Sequence, residues 1–444
     1  MKEIYKKEKF NLETLSPVHI GTGNKYTNWD YYIKNGRIHI VSLDKFIEQL
    51  TEKQQEILAD YIENNSRSSI QDFVDYNTLD FNLLENSKIY DINLVDTSRF
   101  IHGIYEEIKH PKGLYIPAST IKGAIRTAVL YCLLKENKEN YKFSIENKQI
   151  VLRNKEGKEL AKGLNEKDKN SIQNFLEREF FGENQSNDIF KYLKISDSYV
   201  NKGFKNLECR KIYVANTTTF ETVLPNGKKI RKHPEYYEII TEETEFDGIE
   251  ISVIYEEQLK RFVKPKYHKT LEKIKNWKKC LYEFSKDLIE AEIKFWETKD
   301  VENMIKQAYG KSPHSYLIRL FSKTEVLSHL KGIEKQNTPG EPVIRIGKLS
   351  GYLTHSIGLL LAKDEYNVYE FAEVFDRKAK NELYPLTRRL TLDNQTLGWC
   401  KLKISKKENI STKKTSEKHK EKIEKINEDV LRKLAGKLGG TYRG

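Results

Sequence analysis

Four short stretches of this 444-residue chain combine glycine, hydroxyl and cationic side chains at spacings suited to gripping a phosphate. The first is Ser16-Pro17-Val18-His19-Ile20-Gly21-Thr22-Gly23, a strand end running into a glycine turn. Gly21 and Gly23 free the backbone to approach an anion, and His19 stands beside them as a hydrogen-bond donor or a general acid/base. A tight turn with a structural histidine fits the same residues. The second is Ile116-Pro117-Ala118-Ser119-Thr120-Ile121-Lys122-Gly123-Ala124-Ile125-Arg126. Pro117 halts a strand, Ser119 is placed to cap the helix that follows, and Lys122 and Arg126 share one helical face near the positive end of the dipole. That combination makes an anion site, although a solvated basic face has the same spacing. The third runs from Arg345 to Ser356 and carries Gly347, Lys348, Ser350, Gly351 and Tyr352, a loop suited to backbone and stacking contacts with a single strand. It is not a Walker A loop, because Pro342 and Leu349 stand where that motif needs a glycine and a hydroxyl. The fourth is Tyr384-Pro385-Leu386-Thr387-Arg388-Arg389-Leu390, ahead of Leu397-Gly398-Trp399-Cys400-Lys401-Leu402. Its paired arginines serve contact with nucleic acid or a partner, or brace a domain junction through carboxylates.

Recognisable catalytic signatures are missing from the sequence. There is no H-E-x-x-H zinc site, EF-hand loop, G-x-S-x-G elbow, Rossmann G-x-G-x-x-G, His-Asp dipeptide or Gly-Gly-Asp-Asp. Asp197, in Lys194-Ile-Ser-Asp-Ser198, has no acidic neighbour in sequence for two-metal chemistry. Cys132, Cys209, Cys280 and Cys400 are too widely spaced for a zinc knuckle or a redox pair and read as buried small hydrophobes. The expectation is a binding protein, not an enzyme, with no metal and no cofactor.

Lysine and arginine number 77 against 65 acidic residues, a net charge of +12 that favours a polyanionic partner. The charge is uneven. Residues 401–444 hold 14 basic and 6 acidic side chains, so this tail carries +8 and the rest of the chain only +4. The longest apolar run, residues 128–134, has seven residues, whereas a bilayer span needs about 20. The N-terminus shows no apolar signal core. A soluble, cytoplasmic protein with no membrane partner is expected.

The elements that must position these stretches begin with a strand over residues 10–20. A hairpin closes at Asn35-Gly36 between Tyr31, Ile33 and Ile38, Ile40, and a helix starts at Ser42. A strand at 113–116 breaks at Pro117 into a helix running to Leu134. Residues 135–190 read as a polar insertion with one short helix near 175–181. Strands follow at 192–195, 211–220, 236–240 and 249–255, with a turn at Pro225-Asn226-Gly227. Leu271, Ile274, Trp277, Leu281, Phe284, Leu288 and Ala291 mark one long amphipathic helix. Strands at 343–346 and 397–404 and a helical stretch at 415–434 complete the pattern. The fold class is α+β. Two ferredoxin-like (RRM-like) domains are expected at 1–208 and 209–404, with a basic tail at 405–444.

Taken in order, Leu15-Ser-Pro-Val-His-Ile-Gly21, the 116–126 stretch, Lys194-Ile-Ser-Asp-Ser198, Thr244-Glu-Phe-Asp-Gly248, the 347–351 loop, and Thr387-Arg-Arg-Leu390 with the 397–402 stretch resemble the RAMP superfamily of CRISPR proteins. Within it they resemble the subunits that cap the crRNA 3′ end in type III-A (Csm) effector complexes. Ala118 departs from the pattern, where glycine is frequent, and the basic tail has no role in it. The resemblance implies two RRM-like domains in a ribonucleoprotein that grip the 3′ portion of crRNA and abut neighbouring RAMP backbone subunits. Target RNA and host ribonucleases are further implied partners, and the implied task is crRNA 3′-end maturation in antiviral defence without intrinsic catalysis. The candidate RNA-binding residues are His19, Gly21, Gly23, Ser119, Lys122, Arg126, Arg345, Gly347, Lys348, Ser350, Gly351, Tyr352, Arg388 and Arg389. The competing reading is a metal-independent RAMP endoribonuclease that processes crRNA with His19 as general acid/base.

Overall fold

The computed structural model describes residues 5–65, 68–95, 101, 103–111, 113–147, 149–164, 168, 171–200, 203–216, 221–223, 229–231, 234–254, 259–298, 303, 306, 317–361, 385 and 387–405. In the strand Tyr5–Thr14, Phe10 and Leu12 are buried while Lys7 and Lys9 face out, the alternation of a sheet with one covered face. This strand pairs antiparallel with Glu245–Ile254 on one side and Trp399–Ile404 on the other. The first sheet runs in the order Val343–Arg345, Trp399–Ile404, Tyr5–Thr14, Glu245–Ile254, Ser198–Tyr199, Gly113–Ile116, Lys109–His110. Leu193–Ile195 also pairs with Glu245–Ile254.

The second sheet runs Lys25–Tyr26, Ile104–Tyr105, Glu235–Ile240, Leu207–Asn216, Lys88–Leu94, Arg37–Val41, Tyr31–Lys34, and Thr387–Leu390 pairs with Leu207–Asn216. The architecture is therefore mixed α/β. A boundary near residue 208 does not describe it, because both sheets take strands from either side and Leu207–Asn216 crosses that point as an inner strand. Hairpin signals report local pairing only, and they carry no information on which distant strand completes a sheet.

Helix Ala118–Glu136 buries Ile121, Ile125, Ala128, Val129 and Cys132 and packs on helix Trp277–Thr298, where Cys132 Sγ lies 3.8 Å from the Cys280 carbonyl. The amphipathic run expected as one helix is two, His268–Lys275 and Trp277–Thr298, broken at Asn276. The hairpin at Asn35-Gly36 forms with φ of 52° and 72°, the left-handed pair that a two-residue turn requires. Ser42 caps the next helix by accepting from the Lys45 N–H, but that helix spans only Leu43–Glu48. Residues 135–190 contain, besides the expected helix, Ile172–Phe181, a three-stranded antiparallel sheet of Tyr141–Glu146, Gln149–Asn154 and Glu159–Lys162. All four cysteines are buried. Among the described residues no helix is long and apolar enough to cross a membrane. The 225–227 turn and the 415–434 stretch lie outside the described residues.

Candidate nucleic-acid interface

Glycine stretches more than 300 residues apart in the chain meet beside strand Glu235–Ile240 of the second sheet. Val18 forms an antiparallel bridge with Ile240, which fixes the 16–21 segment on that sheet. The Lys348 N–H then donates to the His19 carbonyl at 2.8 Å, and the Gly398 N–H donates to the Pro17 carbonyl at 2.9 Å. The Ile346 N–H closes the set on the Gly398 carbonyl at 2.7 Å. The packing dictates glycine. At Gly347, with φ +91°, a Cβ would stand 2.5 Å from the His19 carbonyl oxygen, and at Gly398, with φ +93°, 2.3 Å from that of Ile346. Leu349, buried among Ile212, Tyr237, Ile239 and Leu397, pins the 347–351 loop to the face of the second sheet. Ser350 is also buried and donates to the Gly347 carbonyl, so it holds the loop's shape; Gly351 and Lys348 are exposed, and Tyr352 is half-buried.

His19 itself is only 1% exposed. Its Nδ1 lies 2.8 Å from the Glu238 carbonyl and 3.1 Å from Glu107 Oε2, so Nδ1 carries the hydrogen and the ring is an internal tie. Burial pushes the Glu107 carboxyl up, and its Oε2 also accepts the Ile20 N–H at 2.9 Å. The imidazole is shielded from any scissile phosphate, and what His19 supplies to the loop is its backbone carbonyl. The exposed turn at Gly21 and Gly23 is anchored too, with Thr22 and Asn24 donating to the Glu106 carboxylate at 2.9 and 3.1 Å.

Beside this junction lies a cationic and aromatic surface that spacing alone did not mark. Lys25 pairs across the strands with Tyr105, and Tyr105 pairs with Tyr237 on the next strand. The two tyrosine rings stack with centroids 4.6 Å apart and planes 16° from parallel. Both hydroxyls donate to one carboxylate, Tyr105 to Glu235 at 3.0 Å and Tyr237 at 2.8 Å. Lys25 Nζ lies 4.9 Å and Lys348 Nζ 4.8 Å from the Tyr105 ring centroid. Half-exposed Arg389, from strand Thr387–Leu390, acts electrostatically on both tyrosines. Of these residues the sequence nominated only Lys348 and Arg389. Strands as short as Lys25–Tyr26 and Ile104–Tyr105 leave no period to detect.

The helix at Ala118 is arranged differently. Ser119 is exposed and does not cap it; instead the Ala118 N–H donates to Asp197 Oδ1 at 2.7 Å. A carboxylate from the link between strands Leu193–Ile195 and Ser198–Tyr199 thus occupies the positive end of the dipole, which explains Asp197 in the Lys194–Ser198 stretch. Arg126 pairs with Glu177 at 3.2 Å and Asp188 at 2.7 Å and lies over Phe181. Lys122 is half-buried above Phe190, and burial lowers its ammonium pKa.

Arg345 and Arg388 are corrections to the candidate set. They are 5% and 6% exposed and share Glu292 in the core, Arg388 Nε at 2.9 Å and Arg345 Nη1 at 3.5 Å. Arg345 also covers Trp399 and donates to the Leu397 carbonyl at 3.0 Å, and burial lowers its pKa to about 10. The pair braces strand Val343–Arg345 of the first sheet to Thr387–Leu390 beside the second. Among the described residues no three His, Cys, Asp or Glu side chains form a set that could hold a metal.

The RAMP superfamily profile matches residues 11–441, and the chain belongs to that superfamily. Over 196 residues it is 30% identical to a Methanocaldococcus jannaschii protein named CRISPR system Cms protein Csm5, covering 42% of this chain and 41% of that one. A Streptococcus thermophilus protein of the same name is 29% identical over 168 residues, 34% of this chain and 47% of that relative. The matched stretches thus span less than half of each relative. Among solved structures, a chain of a Csm-crRNA-target RNA ternary complex from a type III-A CRISPR-Cas system superposes with a TM-score of 0.58 at 22% identity, covering 90% of this chain and all of that one. The crystal structure of T. onnurineus Csm5 gives 0.54 at 21% identity, covering 88% and 99%. These two establish likeness of fold.

Proposed function

We propose that this chain is the crRNA-binding subunit of a type III-A CRISPR (Csm) effector ribonucleoprotein, capping the crRNA 3′ end and supporting its maturation without cutting it. The observation that carries the reading is the junction of the 17–21, 346–351 and 398–399 segments, which holds exposed Lys348 beside Tyr105 and Lys25. Backbone fixed by glycine packing, cations without a described counterion and a rigid aromatic pair are the elements of a single-strand grip. Relatives named Csm5 and the fold match to a chain of a Csm-crRNA-target RNA complex support the assignment to that assembly. Its partners are then crRNA, the adjoining RAMP backbone subunits and target RNA, with host ribonucleases trimming the exposed end. Each large sheet corresponds on this reading to one ferredoxin-like unit, the two interleaved along the chain.

Cleavage by the chain itself is disfavoured by the burial of His19, whose Nδ1 hydrogen is committed to Glu238 and Glu107. The test is to reconstitute the effector with and without this chain and sequence the crRNA 3′ ends. Omission should leave crRNA with altered 3′ ends, and the pure chain should cut repeat RNA neither in EDTA nor in magnesium. Cleavage by the pure chain that His19→Ala abolishes would replace the capping role with processing.

A further inference from the structure

We propose that Lys25, Tyr105 and Lys348, flanked by Arg389, form one binding site for a phosphodiester of single-stranded RNA and the base next to it. The proposal rests on the chain being an RNA-binding subunit and specifies where one nucleotide sits. Lys25 comes from the edge strand of the second sheet and Lys348 from the 347–351 loop, yet both ammonium groups point at the same ring, which keeps them within about 10 Å of each other. Neither forms an ion pair with a described carboxylate, unlike Lys34 with Glu85, Lys109 with Glu238 or Lys403 with Glu13. Two like charges gathered without a counterion repel, and the ring face offsets that only in part. A phosphate between them removes the repulsion.

The scaffold under the cations is fixed. Tyr105 is clamped by the stack on Tyr237 and by the bond of its hydroxyl to Glu235, Lys25 is held by strand pairing with Tyr105, and the Lys348 backbone is held by the His19 carbonyl. A ligand therefore meets a preformed site and need not order it. Arg389, opposite Val214 on a further strand, adds a third positive charge that both tyrosine hydroxyls feel. A lone phosphate would use only the two lysines; a single strand also uses the guanidinium and the aromatic edge, and for that reason the site fits RNA as a strand.

The experiment is a titration of labelled crRNA and of a homopolymeric single strand with the full-length chain, at several salt concentrations. Lys25→Glu and Lys348→Glu should each weaken binding at least tenfold and flatten the log–log salt dependence by about 0.7 for each phosphate no longer neutralised. Tyr105→Leu should cost about tenfold, while Tyr105→Phe, which keeps the ring, should bind nearly as wild type. Melting temperatures identify any variant that fails to fold, and Lys279→Glu, an exposed lysine on helix Trp277–Thr298, serves as the control for net charge. Wild-type affinity and slope in the folded Lys25 and Lys348 variants would overturn this site while leaving the proposed function intact. Failure of the wild-type chain to bind crRNA, alone or in the reconstituted effector, would overturn both.

Discussion

The loop at residues 347–351 and the start of helix Ala118–Glu136 both carry the marks of an anion site, and the fold treats them in opposite ways. At the helix, Asp197 caps the first N–H, and Glu177 and Asp188 take up Arg126. At the loop, no described carboxylate forms an ion pair with the ammonium group of Lys25 or Lys348. Glu235 is turned to the tyrosine hydroxyls, Glu106 to Thr22 and Asn24, and Glu292 to the buried arginines. Cation spacing therefore marks two places where an anion would be stable, and acids from distant parts of the chain decide which of the two is already filled. The filled one holds the first sheet to its helix, and the other stays open, with Lys25 and Lys348 over the Tyr105 ring and paired with no described carboxylate.

Substitutions test this contrast, and the largest loss of stability is expected at the buried Glu292. Glu292→Leu leaves Arg345 and Arg388 buried without a counter-charge, which should cost about 3–5 kcal/mol in urea unfolding. A loss under 1 kcal/mol would mean that the brace is dispensable. Next comes Gly347→Ala, whose Cβ meets the His19 carbonyl at positive φ; about 1–3 kcal/mol of stability and most of the RNA affinity should go together. Retained affinity would show that the loop does not position Lys348.

His329, next to this brace, gives a pH signature. Burial holds its pKa down to about 4 from an ordinary 6.5, so the unfolded chain binds the extra proton in that interval. Stability should therefore rise with pH between about 4 and 6.5 and fall as acid is added, and His329→Phe should flatten the slope from pH 5 to 6.5 in thermal melts. The smallest effects belong to the filled site. Asp197→Ala should lower stability by about 1 kcal/mol, and Arg126→Ala by no more than about 1, with crRNA affinity unchanged in both. A tenfold affinity loss in either would make the helix start a ligand site and erase the contrast.

Much of the local structure is legible in the sequence because its causes are local. Asn35-Gly36 dictates the hairpin, Pro117 dictates the change from strand to helix, and the strands expected at 236–240 and 249–255 form as Glu235–Ile240 and Glu245–Ile254. The order of strands in the sheets is not legible, since the pairing of Tyr5–Thr14 with Trp399–Ile404 joins opposite ends of the described chain. The site divides along the same line. Glycines 21, 347 and 351 and Lys348 stand out by type and spacing. Lys25 and Tyr105 do not, because their meaning arises only when a two-residue strand is laid beside Tyr237. Arg345 and Arg388 mislead for the converse reason, their partner Glu292 being an unremarked position of an amphipathic helix. The restriction of His19 to an internal tie likewise depends on Glu107 and Glu238, which no motif contains.

Whether the proposed site at Lys25, Tyr105 and Lys348 holds the 3′ part of the crRNA is decided by ultraviolet cross-linking of the reconstituted effector, followed by mass spectrometry of the joined peptides and nucleotides. Cross-links are expected from Tyr105 and from the peptide containing Lys348 to nucleotides in the 3′ portion of the crRNA. Cross-links confined to helix Ala118–Glu136, or to the 5′ end of the crRNA, would contradict it.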